Sequence, residues 1–367
     1  MKSAAVVLAG PREIELREFA LPEIGREDAL LHVEACGVCG ADYDPLYLWR
    51  GPAPRIGPLV LGHEVAGRIE SIGDQAAARW GVGEGDLVVV EEDVPCGRCR
   101  LCRTGRYRLC NGLFGGEGRR YGFTSIDEPP SLWGGFSEHM YLSPNSVVHR
   151  VPDSVPAHRA PLFLPIANGV DWVRRYGQLP PGGTVVVQGP GQHGLGCVIA
   201  AKEAGAGTVV VSGTSKDVAR LALAERLGAD VTVNVDEERL VDRVRQVTDG
   251  ALADLVLDVT HRSAQPLVDA LRMVAFGGVI VVAGLKMEPV EINTDALIVK
   301  DVTLRGANGH DLVSVGAALK ILEADRYPFD DLCTHTFPIA RAEEAVRTVG
   351  REGTSDPVHV TVVPRDG

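Results

Sequence analysis

The stretch TVVVQGPGQHGLG, residues 184–196, decides the fold of this 367-residue chain. A β-branched run at 184–187 leads into a glycine-rich turn, and an apolar run suited to a helix follows at 195–204. In a strand–turn–helix unit with GxGxxG, the first glycine permits the tight bend, the second lets backbone approach a pyrophosphate, and the third lets helix pack on strand. The stretch therefore predicts a dinucleotide site at the helix N-terminus.

Five residues of this turn are the candidate cofactor ligands. They are Gly189, Gly191, Gln192, His193 and Gly194. The ring of His193 would either contact the pyrophosphate or point to solvent. The alternative is a glycine-rich loop without a ligand, and the strand before and the helix after argue against it.

Strand and helix patterns alternate over residues 158–306. The predicted strands after the turn are 208–212, 231–235, 254–259, 278–283 and 302–305, and the predicted helices are 216–227, 237–248 and 264–275. Such alternation is typical of a doubly wound parallel sheet of the Rossmann type. We therefore predict an α/β fold with a dinucleotide-binding domain at 158–306.

The two flanking segments have a different pattern. Residues 1–157 contain short alternating runs such as 29–34, 65–72 and 86–91, separated by turn residues such as Gly73 and Asp74, and predict a β-rich domain. Residues 307–367 predict helices at 312–324 and 341–349 and a strand at 358–363. We expect this last segment to return to the first domain.

Composition excludes several classes of function. The 49 acidic residues outnumber 37 basic ones, giving a net charge of -12, so we expect no nucleic-acid partner. No segment reaches the roughly 18 apolar residues of a membrane-spanning helix. The N-terminal apolar run is short and followed by charged alternation, which favours a β-hairpin over a signal peptide. Eight cysteines without such a signal suggest metal ligands or thiols in the cytoplasm.

Four cysteines have the spacing CxxCxxCx7C. They are Cys96, Cys99, Cys102 and Cys110, within the segment 96–110. Four thiolates at this spacing can enclose one tetrahedral zinc ion and leave no position open, so the site would be structural. The alternative is that the four cysteines bind an iron–sulfur cluster. Disulfides would conflict with the expected compartment.

A second cluster mixes three ligand types. Cys39 lies in CGVCGADYD, and His63 and Glu64 lie in LGHE. One sulfur, one nitrogen and one oxygen suit a catalytic zinc that keeps a position for water or substrate. Each residue alone has a simpler interpretation, as a buried thiol, a packed imidazole or a surface carboxylate. Spacing in sequence does not show that the three meet.

Taken together, GVCxxD, GHE, the four cysteines and the GxGxxG turn resemble the zinc-dependent medium-chain dehydrogenase/reductase family, which includes alcohol, sorbitol and threonine dehydrogenases. The resemblance extends over nearly the whole chain. It implies a GroES-like β-rich catalytic domain beside the Rossmann domain, and a homodimer or homotetramer. It also implies hydride transfer between NAD(P) and a small alcohol or carbonyl substrate. Cys39, His63 and Glu64 match the catalytic zinc positions, and the four cysteines match the structural zinc.

The chain departs from the family pattern at three positions. Leu164, in LPIANG, stands where the family usually has a further zinc-facing Glu, Cys or Asp, so Glu64 would ligate directly with water completing the shell. Ala41 stands where a relay Ser or Thr is usual. Asp44 stands where a His is often found, and it is either an outer proton relay or the cap of a local turn.

The preference between NAD and NADP depends on the end of the second Rossmann strand. An acid there would bind the ribose 2′-hydroxyl of NAD, but this chain has Ser212 and Gly213. The next residues, Thr214, Ser215 and Lys216, suit a 2′-phosphate, so we favour NADP. The alternative is that Thr214 or Ser215 only caps the next helix, that Lys216 is solvated, and that Asp217 reaches an adenosine ribose.

Two other functions remain open from the sequence. One is NADPH-dependent reduction of an activated C=C or C=N bond, which the altered relay and the missing Glu would suit. The other is a dinucleotide-binding protein without turnover. The retained set of Cys39, His63 and Glu64 argues against that second alternative, since a protein without turnover needs no mixed-ligand site.

Overall fold

The computed structural model describes residues 1–50, 57–113, 116–353 and 356–364. The chain forms two compact units. The first unit comprises Met1–Leu164, Leu319–Ala324 and Leu332–Gly367, and the second comprises Pro165–Ala318 and Asp325–Asp331. The domain limits expected from the sequence, at 157 and 306, stay predictions.

The N-terminal part of the first unit is rich in strands, as its alternating runs predict. The strands are β1 Lys2–Gly10, β2 Glu13–Ala20, β3 Ala29–Val38, β4 Leu59–Val60, β5 Glu64–Ile72, β6 Leu87–Val90, β7 Asp93–Val94, β8 Arg119–Arg120, β9 His139–Leu142 and β10 Val148–Arg150. The predicted first hairpin is formed by β1 and β2, which pair antiparallel. The short helices are α1 Asp74–Trp80 and α2 Arg100–Arg103, with a π-helical turn at Asp42–Tyr47 and 3-10 turns at Tyr107–Leu109, Asn111–Leu113 and Ala160–Leu162.

The second unit contains the parallel sheet. Its strands are β11 Thr184–Gln188, β12 Thr208–Gly213, β13 Val231–Asn234, β14 Ala253–Asp258, β15 Val274–Val282 and β16 Thr303–Gly306. Its helices include α4 Gln192–Glu203, α5 Val218–Arg226, α6 Leu240–Val247, α7 Gln265–Met273 and α8 Asp295–Lys300. Helix α3, Phe163–Val170, and a π-helical segment, Asp171–Tyr176, precede the sheet in sequence.

The order of this sheet is β13-β12-β11-β14-β15-β16, and every neighbouring pair is parallel. The chain builds outward from β11 to β13, then returns to the other side of β11 with β14, so the strand order reverses between β11 and β14. Ligands of doubly wound sheets bind at the carboxyl ends of the strands beside such a reversal. The predicted Rossmann architecture is confirmed, and the glycine-rich turn follows β11.

The C-terminal segment adds helix α9 Leu312–Ala324, helix α10 Phe329–Leu332, strand β17 Cys333–Pro338, a 3-10 turn at Ile339–Arg341, helix α11 Ala342–Val349 and strand β18 His359–Val363. Strand β18 pairs antiparallel with β3, and β17 pairs parallel with β18. The largest sheet of the first unit therefore has the order β10-β6-β5-β3-β18-β17, with β9 also on β3. The core beneath it contains Leu31, Val33, Ile69, Val88 and Phe136.

Two sequence expectations differ from the structure. Gly73 and Asp74 belong to a predicted turn, but Asp74 begins helix α1, which three alanines favour and Gly81 ends at a φ of 67°. Helix α3 is not predicted from the sequence, because Pro165 and Gly169 interrupt its helical pattern. Gly169 is needed there for packing, since a Cβ on it would lie 2.4 Å from the Gly196 carbonyl oxygen.

Candidate functional site

The four cysteines of the predicted zinc lobe lie together. All four Sγ atoms lie within 4.8 Å of one another, and the pairs Cys99–Cys102, Cys99–Cys110 and Cys96–Cys102 are separated by 3.5, 3.9 and 4.0 Å. A tetrahedral zinc with Zn–S bonds of 2.3 Å would place its sulfurs about 3.8 Å apart. The lobe fits a zinc ion with little rearrangement.

Backbone N–H groups stabilise charge on the sulfurs of this lobe. Cys99 is the N-cap residue of α2, and its Sγ accepts a hydrogen bond from the Cys102 N–H at 3.5 Å. This bond is the main reason that the pKa of the Cys99 thiol falls to about 6. Burial, followed by contact with neighbouring thiols, raises the pKa of Cys102 to about 12. A cation at the centre is what would hold all four as thiolates.

The register of two strands builds the second cluster. In the antiparallel pair of β3 and β5, Gly37 lies opposite Glu64, so the residues just after β3 and just before β5 come close. Cys39 follows β3, and His63 precedes β5 directly. The Cys39 Sγ and a carboxylate oxygen of Glu64 lie within 4.8 Å of each other. The structure thus places the Cys39 thiol close to the Glu64 carboxylate and to the His63 imidazole.

Gly37 is required for the position of Glu64. A Cβ on Gly37 would lie 2.1 Å from Glu64 Oε2 and 2.8 Å from His359 Cε1, so any side chain there would displace the carboxylate. Glu64 is fully buried, with the His359 Nδ1 at 4.0 Å from its Oε2. A buried carboxylate is costly unless an opposite charge or hydrogen bonds compensate it.

Asp42 is a site residue to which sequence reasoning assigned no role. Its Oδ2 accepts from the Cys39 N–H at 2.9 Å, and its Oδ1 lies 3.5 Å from the Nδ1 of His63. A carboxylate that holds one ring nitrogen of a histidine orients the other toward a metal. The signal available was the spacing of GVCGAD, which places the acid one turn after the cysteine.

The electrostatics of this cluster are those of a cation site. Burial disfavours the charged imidazolium of His63, but the negative charge of the neighbouring Asp42 outweighs it and raises the pKa of His63 well above its usual value. Burial is also the main cause that raises the pKa of the Cys39 thiol. With two fully buried carboxylates, Asp42 and Glu64, the environment favours positive charge. A zinc ion fits this donor set of sulfur, nitrogen and oxygen.

The structure places the three departures from the family pattern as follows. Leu164 is buried in α3 and offers no ligand atom. Ala41 is the N-cap residue of the π-helical turn and has no hydroxyl. Asp44 lies inside that turn, buried, with its Oδ1 3.9 Å from the Arg50 guanidinium. Its role as a relay stays a prediction.

The glycine-rich turn has the geometry that a pyrophosphate needs. Gly189 has a φ of 100°, and a Cβ on Gly194 would lie 1.9 Å from the Gly189 carbonyl oxygen, so both positions require glycine. A Cβ on Gly191 would meet open space among the described residues. Gly191 is also the N-cap residue of α4, with no side-chain cap, which leaves the start of the helix accessible to an anion.

Within the second unit, His193 has contacts on its own side of the turn. Its ring lies 5.7 Å from that of Trp172, and its Nδ1 lies 3.4 Å from the Asn168 side-chain nitrogen. Asn168 in turn pairs with His310 at 2.9 Å. These neighbours position the ring, and its contact with a pyrophosphate stays a prediction. Gln192 is the first residue of α4.

The predicted ribose segment after β12 is organised by two acids. Asp217 Oδ2 accepts from the N–H and the hydroxyl of Thr214 at 2.9 and 2.8 Å, and Asp217, not Thr214 or Ser215, is the N-cap residue of α5. Asp236 Oδ2 accepts from the Ser215 N–H at 2.8 Å. Lys216 is exposed. The segment thus presents one basic side chain and two carboxylates.

A further charged pair lies at the same edge of the sheet and is not predicted from the sequence. Lys286 Nζ lies 2.8 Å from each carboxylate oxygen of Asp258, which ends β14, and 2.9 Å from the Thr260 hydroxyl. Asp258 is fully buried, so the lysine compensates its charge. No local motif marks this pair, because 28 residues separate its members.

Comparisons with known proteins identify related domains and relatives of this chain. The model of the alcohol dehydrogenase GroES-like domain matches residues 25–153, and that of the zinc-binding dehydrogenase domain matches residues 194–323. A relative named as a probable alcohol dehydrogenase of Mycobacterium tuberculosis is 38% identical over 365 residues, 98% of each chain. The erythritol/L-threitol dehydrogenase of Mycolicibacterium smegmatis is 31% identical, over 99% of this chain and 98% of that one.

A solved structure shows the same architecture. The alcohol dehydrogenase of Thermotoga maritima has a TM-score of 0.87 and 27% identity, and the match covers 100% of both chains. The predicted GroES-like fold of the β-rich domain is thereby confirmed. Among the described residues, no helix has both the length and the apolar character needed to span a bilayer.

Replacing Cys102 by Ser should remove one thiolate from the lobe and, with it, the zinc ion that stabilises its fold. We expect the zinc content to fall by about one ion per chain and the melting temperature to fall by about 5 °C or more. Elemental analysis and calorimetry measure both. Cys333→Ser is the matched control, since this partly buried cysteine lies outside both clusters. Unchanged zinc content and melting temperature in Cys102→Ser would contradict the lobe as a zinc site.

Proposed function

This chain belongs to the zinc-dependent medium-chain dehydrogenase family and is an alcohol dehydrogenase-type oxidoreductase that uses zinc and NAD(P), and we propose which of its residues perform each part of the reaction. Cys39, His63 and Glu64 would hold the catalytic zinc. Cys96, Cys99, Cys102 and Cys110 would hold the structural zinc. The substrate is a primary or secondary alcohol, or the corresponding aldehyde or ketone.

The division of chemistry follows from the two sites. A zinc ion, when bound, supplies a Lewis acid that lowers the pKa of an alcohol. Asp42 orients His63 through Nδ1 and anchors the Cys39 backbone, so the donors keep their positions. Gly189, Gly191 and Gly194 let the cofactor pyrophosphate approach the start of α4. The nicotinamide carries the hydride, and the protein orients it.

The observation that supports this proposal most directly is the cluster of the partly buried Cys39 thiol with the buried side chains of Asp42, His63 and Glu64, whose negative charge a cation would compensate. The purified protein should therefore contain two zinc ions per chain and oxidise members of an alcohol panel with NAD or NADP. Elemental analysis measures the zinc content, and the absorbance of the reduced nicotinamide measures the rate of alcohol oxidation. One zinc ion per chain, with NADPH-linked reduction of activated C=C or C=N bonds and no alcohol oxidation, would favour the reductase instead.

Asp44 is our proposed outer proton relay. Alcohol oxidation releases a proton that must leave a buried site, and Ala41 has no group to carry it. Asp44 lies in the turn that begins directly after Cys39 and Ala41, and its carboxylate is buried beside the half-exposed Arg50. The Asp44 carboxylate therefore lies between the buried part of the turn and the half-exposed Arg50.

Asp44→Asn should keep both zinc ions and cofactor binding but lower kcat by about 100-fold, as expected for the loss of a general base, and change the pH profile. Asp42→Asn, two residues away, is the informative comparison. It should instead weaken zinc at the catalytic site by about tenfold or more, because Asp42 holds His63. Full turnover with an unchanged pH profile in Asp44→Asn would show that the proton leaves by another path.

We propose that NADP is the preferred cofactor. The end of β12 carries Ser212 and Gly213 instead of an acid, and Ser215 and Lys216 offer an N–H and an ammonium group to a 2′-phosphate. In the structure, the Ser215 N–H donates to the carboxylate of Asp236. A 2′-phosphate would have to replace this carboxylate as the acceptor. A phosphate and this carboxylate would repel each other.

Lys216→Ala should weaken NADP binding by about tenfold and leave NAD almost unchanged, because it removes one charged partner of the phosphate. Asp236→Asn should strengthen NADP binding by removing the competing charge. Gly213→Asp is a poorer test, since a Cβ there would lie 2.9 Å from Pro190 Cγ. Fluorescence titration with both cofactors measures the effects, with the exposed Lys320→Ala as control. Equal effects on NAD and NADP would contradict this ribose site.

Two further proposals concern assembly and compartment. We propose a homo-oligomer, because β16 is an edge strand of the parallel sheet and exposed apolar residues lie on and near it. These residues are Phe276, Ile298, Val299 and Leu304. We propose the cytoplasm as the compartment, since no disulfide joins the eight cysteines, all of which the structure describes.

A further inference from the structure

A buried ion pair closes the carboxyl end of strand β14. Lys286 Nζ lies 2.8 Å from both carboxylate oxygens of Asp258, the last residue of that strand. The Asp258 side chain is fully buried and that of Lys286 is 10% exposed, so water screens neither charge well. Lys286 belongs to the loop that follows β15, and the pair therefore joins that loop to the end of β14.

The same lysine holds the loop that follows β14. Its Nζ donates to the carbonyl oxygen of Thr260 at 2.8 Å and to the Thr260 hydroxyl at 2.9 Å. Asp258 Oδ1 accepts from the N–H and the hydroxyl of Thr260 at 3.1 and 2.6 Å. The next two residues, His261 and Arg262, are exposed and add no buried charge. Thr260 is thus bonded to both members of the ion pair, through its backbone and its side chain.

Thr260 lies against the first glycine of the glycine-rich turn. A Cβ on Gly189 would lie 3.1 Å from Thr260 Cγ2 and 3.5 Å from the Thr260 nitrogen. Asp258 itself lies opposite Gln188, the residue before that glycine, in the parallel pair of β11 and β14. Gly284, just after β15, packs on the other side of the threonine, since a Cβ on it would lie 2.0 Å from the Thr260 carbonyl oxygen. The ion pair therefore supports one side of the turn.

A buried acid on each side of the turn is paired with a basic side chain. On the β12 side, a Cβ on Gly213 would lie 2.9 Å from Pro190 Cγ, within the turn, and 3.0 Å from Asp217 Cβ. Asp217 Oδ1 lies 3.6 Å from the Arg220 guanidinium. On the β14 side, the lysine compensates Asp258. With both acids compensated, the positive end of the α4 dipole determines the potential at the turn and favours an anion.

We propose that Lys286 is a positioning residue for the cofactor pyrophosphate. It fixes Thr260 against Gly189, so the turn keeps its shape, and it cancels the charge of Asp258, which would otherwise repel a phosphate group. Without the ammonium group, a buried carboxylate would stand beside the turn without compensation. This inference rests on the pyrophosphate site proposed for the glycine-rich turn.

Calorimetric titration of the full chain with NAD, NADP and ADP-ribose tests this role. Lys286→Met should weaken the binding of all three ligands by about tenfold or more, because each of them carries the pyrophosphate. NAD and NADP should be affected by the same factor, since the 2′-phosphate takes no part in the effect. ADP-ribose should follow them, since the nicotinamide takes no part either.

Lys300→Met is the matched control for a general loss of stability. Lys300 Nζ also donates to three oxygens, the carbonyl groups of Leu271, Arg272 and Val274, at 3.0, 3.3 and 2.9 Å. Val274 begins β15, so this lysine lies at the end of the parallel sheet opposite to Asp258. Lys300→Met should lower the melting temperature and leave the affinity for all three ligands unchanged.

Asp258→Asn gives an independent measure of opposite sign. The amide keeps an oxygen for the N–H and the hydroxyl of Thr260, while the ammonium group of Lys286 loses its counter-charge. Affinity for all three ligands should therefore rise by about threefold or more, an effect that a purely structural role does not produce. If Lys286→Met does not fold, this variant decides the question.

Three results would overturn the assignment. They are wild-type affinities in Lys286→Met, an equal loss of affinity in Lys300→Met, and unchanged or weaker binding in Asp258→Asn. If the wild-type chain binds none of the three ligands, the pyrophosphate site itself fails, and that result is distinguishable because it does not depend on any variant.

Discussion

The first unit depends on the pairing of Gly37 with Glu64 across β3 and β5. The pairing aligns the end of one strand with the start of the next, and the missing Cβ at Gly37 makes room for the Glu64 carboxylate. A shift of one residue would turn these side chains to the opposite face of the sheet. The register that organises the core therefore also brings the thiol of Cys39 and the carboxylate of Glu64 together.

Charge then gives this cluster its chemical character. Asp42 and Glu64 are fully buried, and the neighbouring imidazole of His63 has a raised pKa because of Asp42. Burial of so much negative charge is unfavourable without a compensating cation. The four-cysteine lobe follows the same logic with sulfur alone, where backbone N–H groups favour the thiolate of Cys99. The Cys39 cluster offers mixed ligand types, which suit a catalytic ion, whereas the four sulfurs of the lobe would enclose a structural one.

In the second unit, the candidate cofactor site depends on backbone geometry more than on charge. Gly189 and Gly194 are required because their neighbours leave no room for a side chain or demand a positive φ. The strand order reverses next to β11, so the carboxyl end of β11 opens into the crevice where ligands of this fold bind. Asp258 and Lys286 lie at the end of the adjacent strand, on the other side of the reversal from the ribose segment.

The sequence by itself determined the features that are local in the chain. Strand and helix periods, the GxGxxG turn and the four cysteines within 15 residues are each encoded in one short segment, and they were sufficient for the fold class and for the candidate ligands. Helix α3 and strand β17 lack a clear period and were missed. Only the tertiary structure decided that Asp42 and Glu92 flank the two nitrogens of His63 and that Lys286 pairs with Asp258. These contacts join segments through strand register and packing, and distance along the chain carries no information about them.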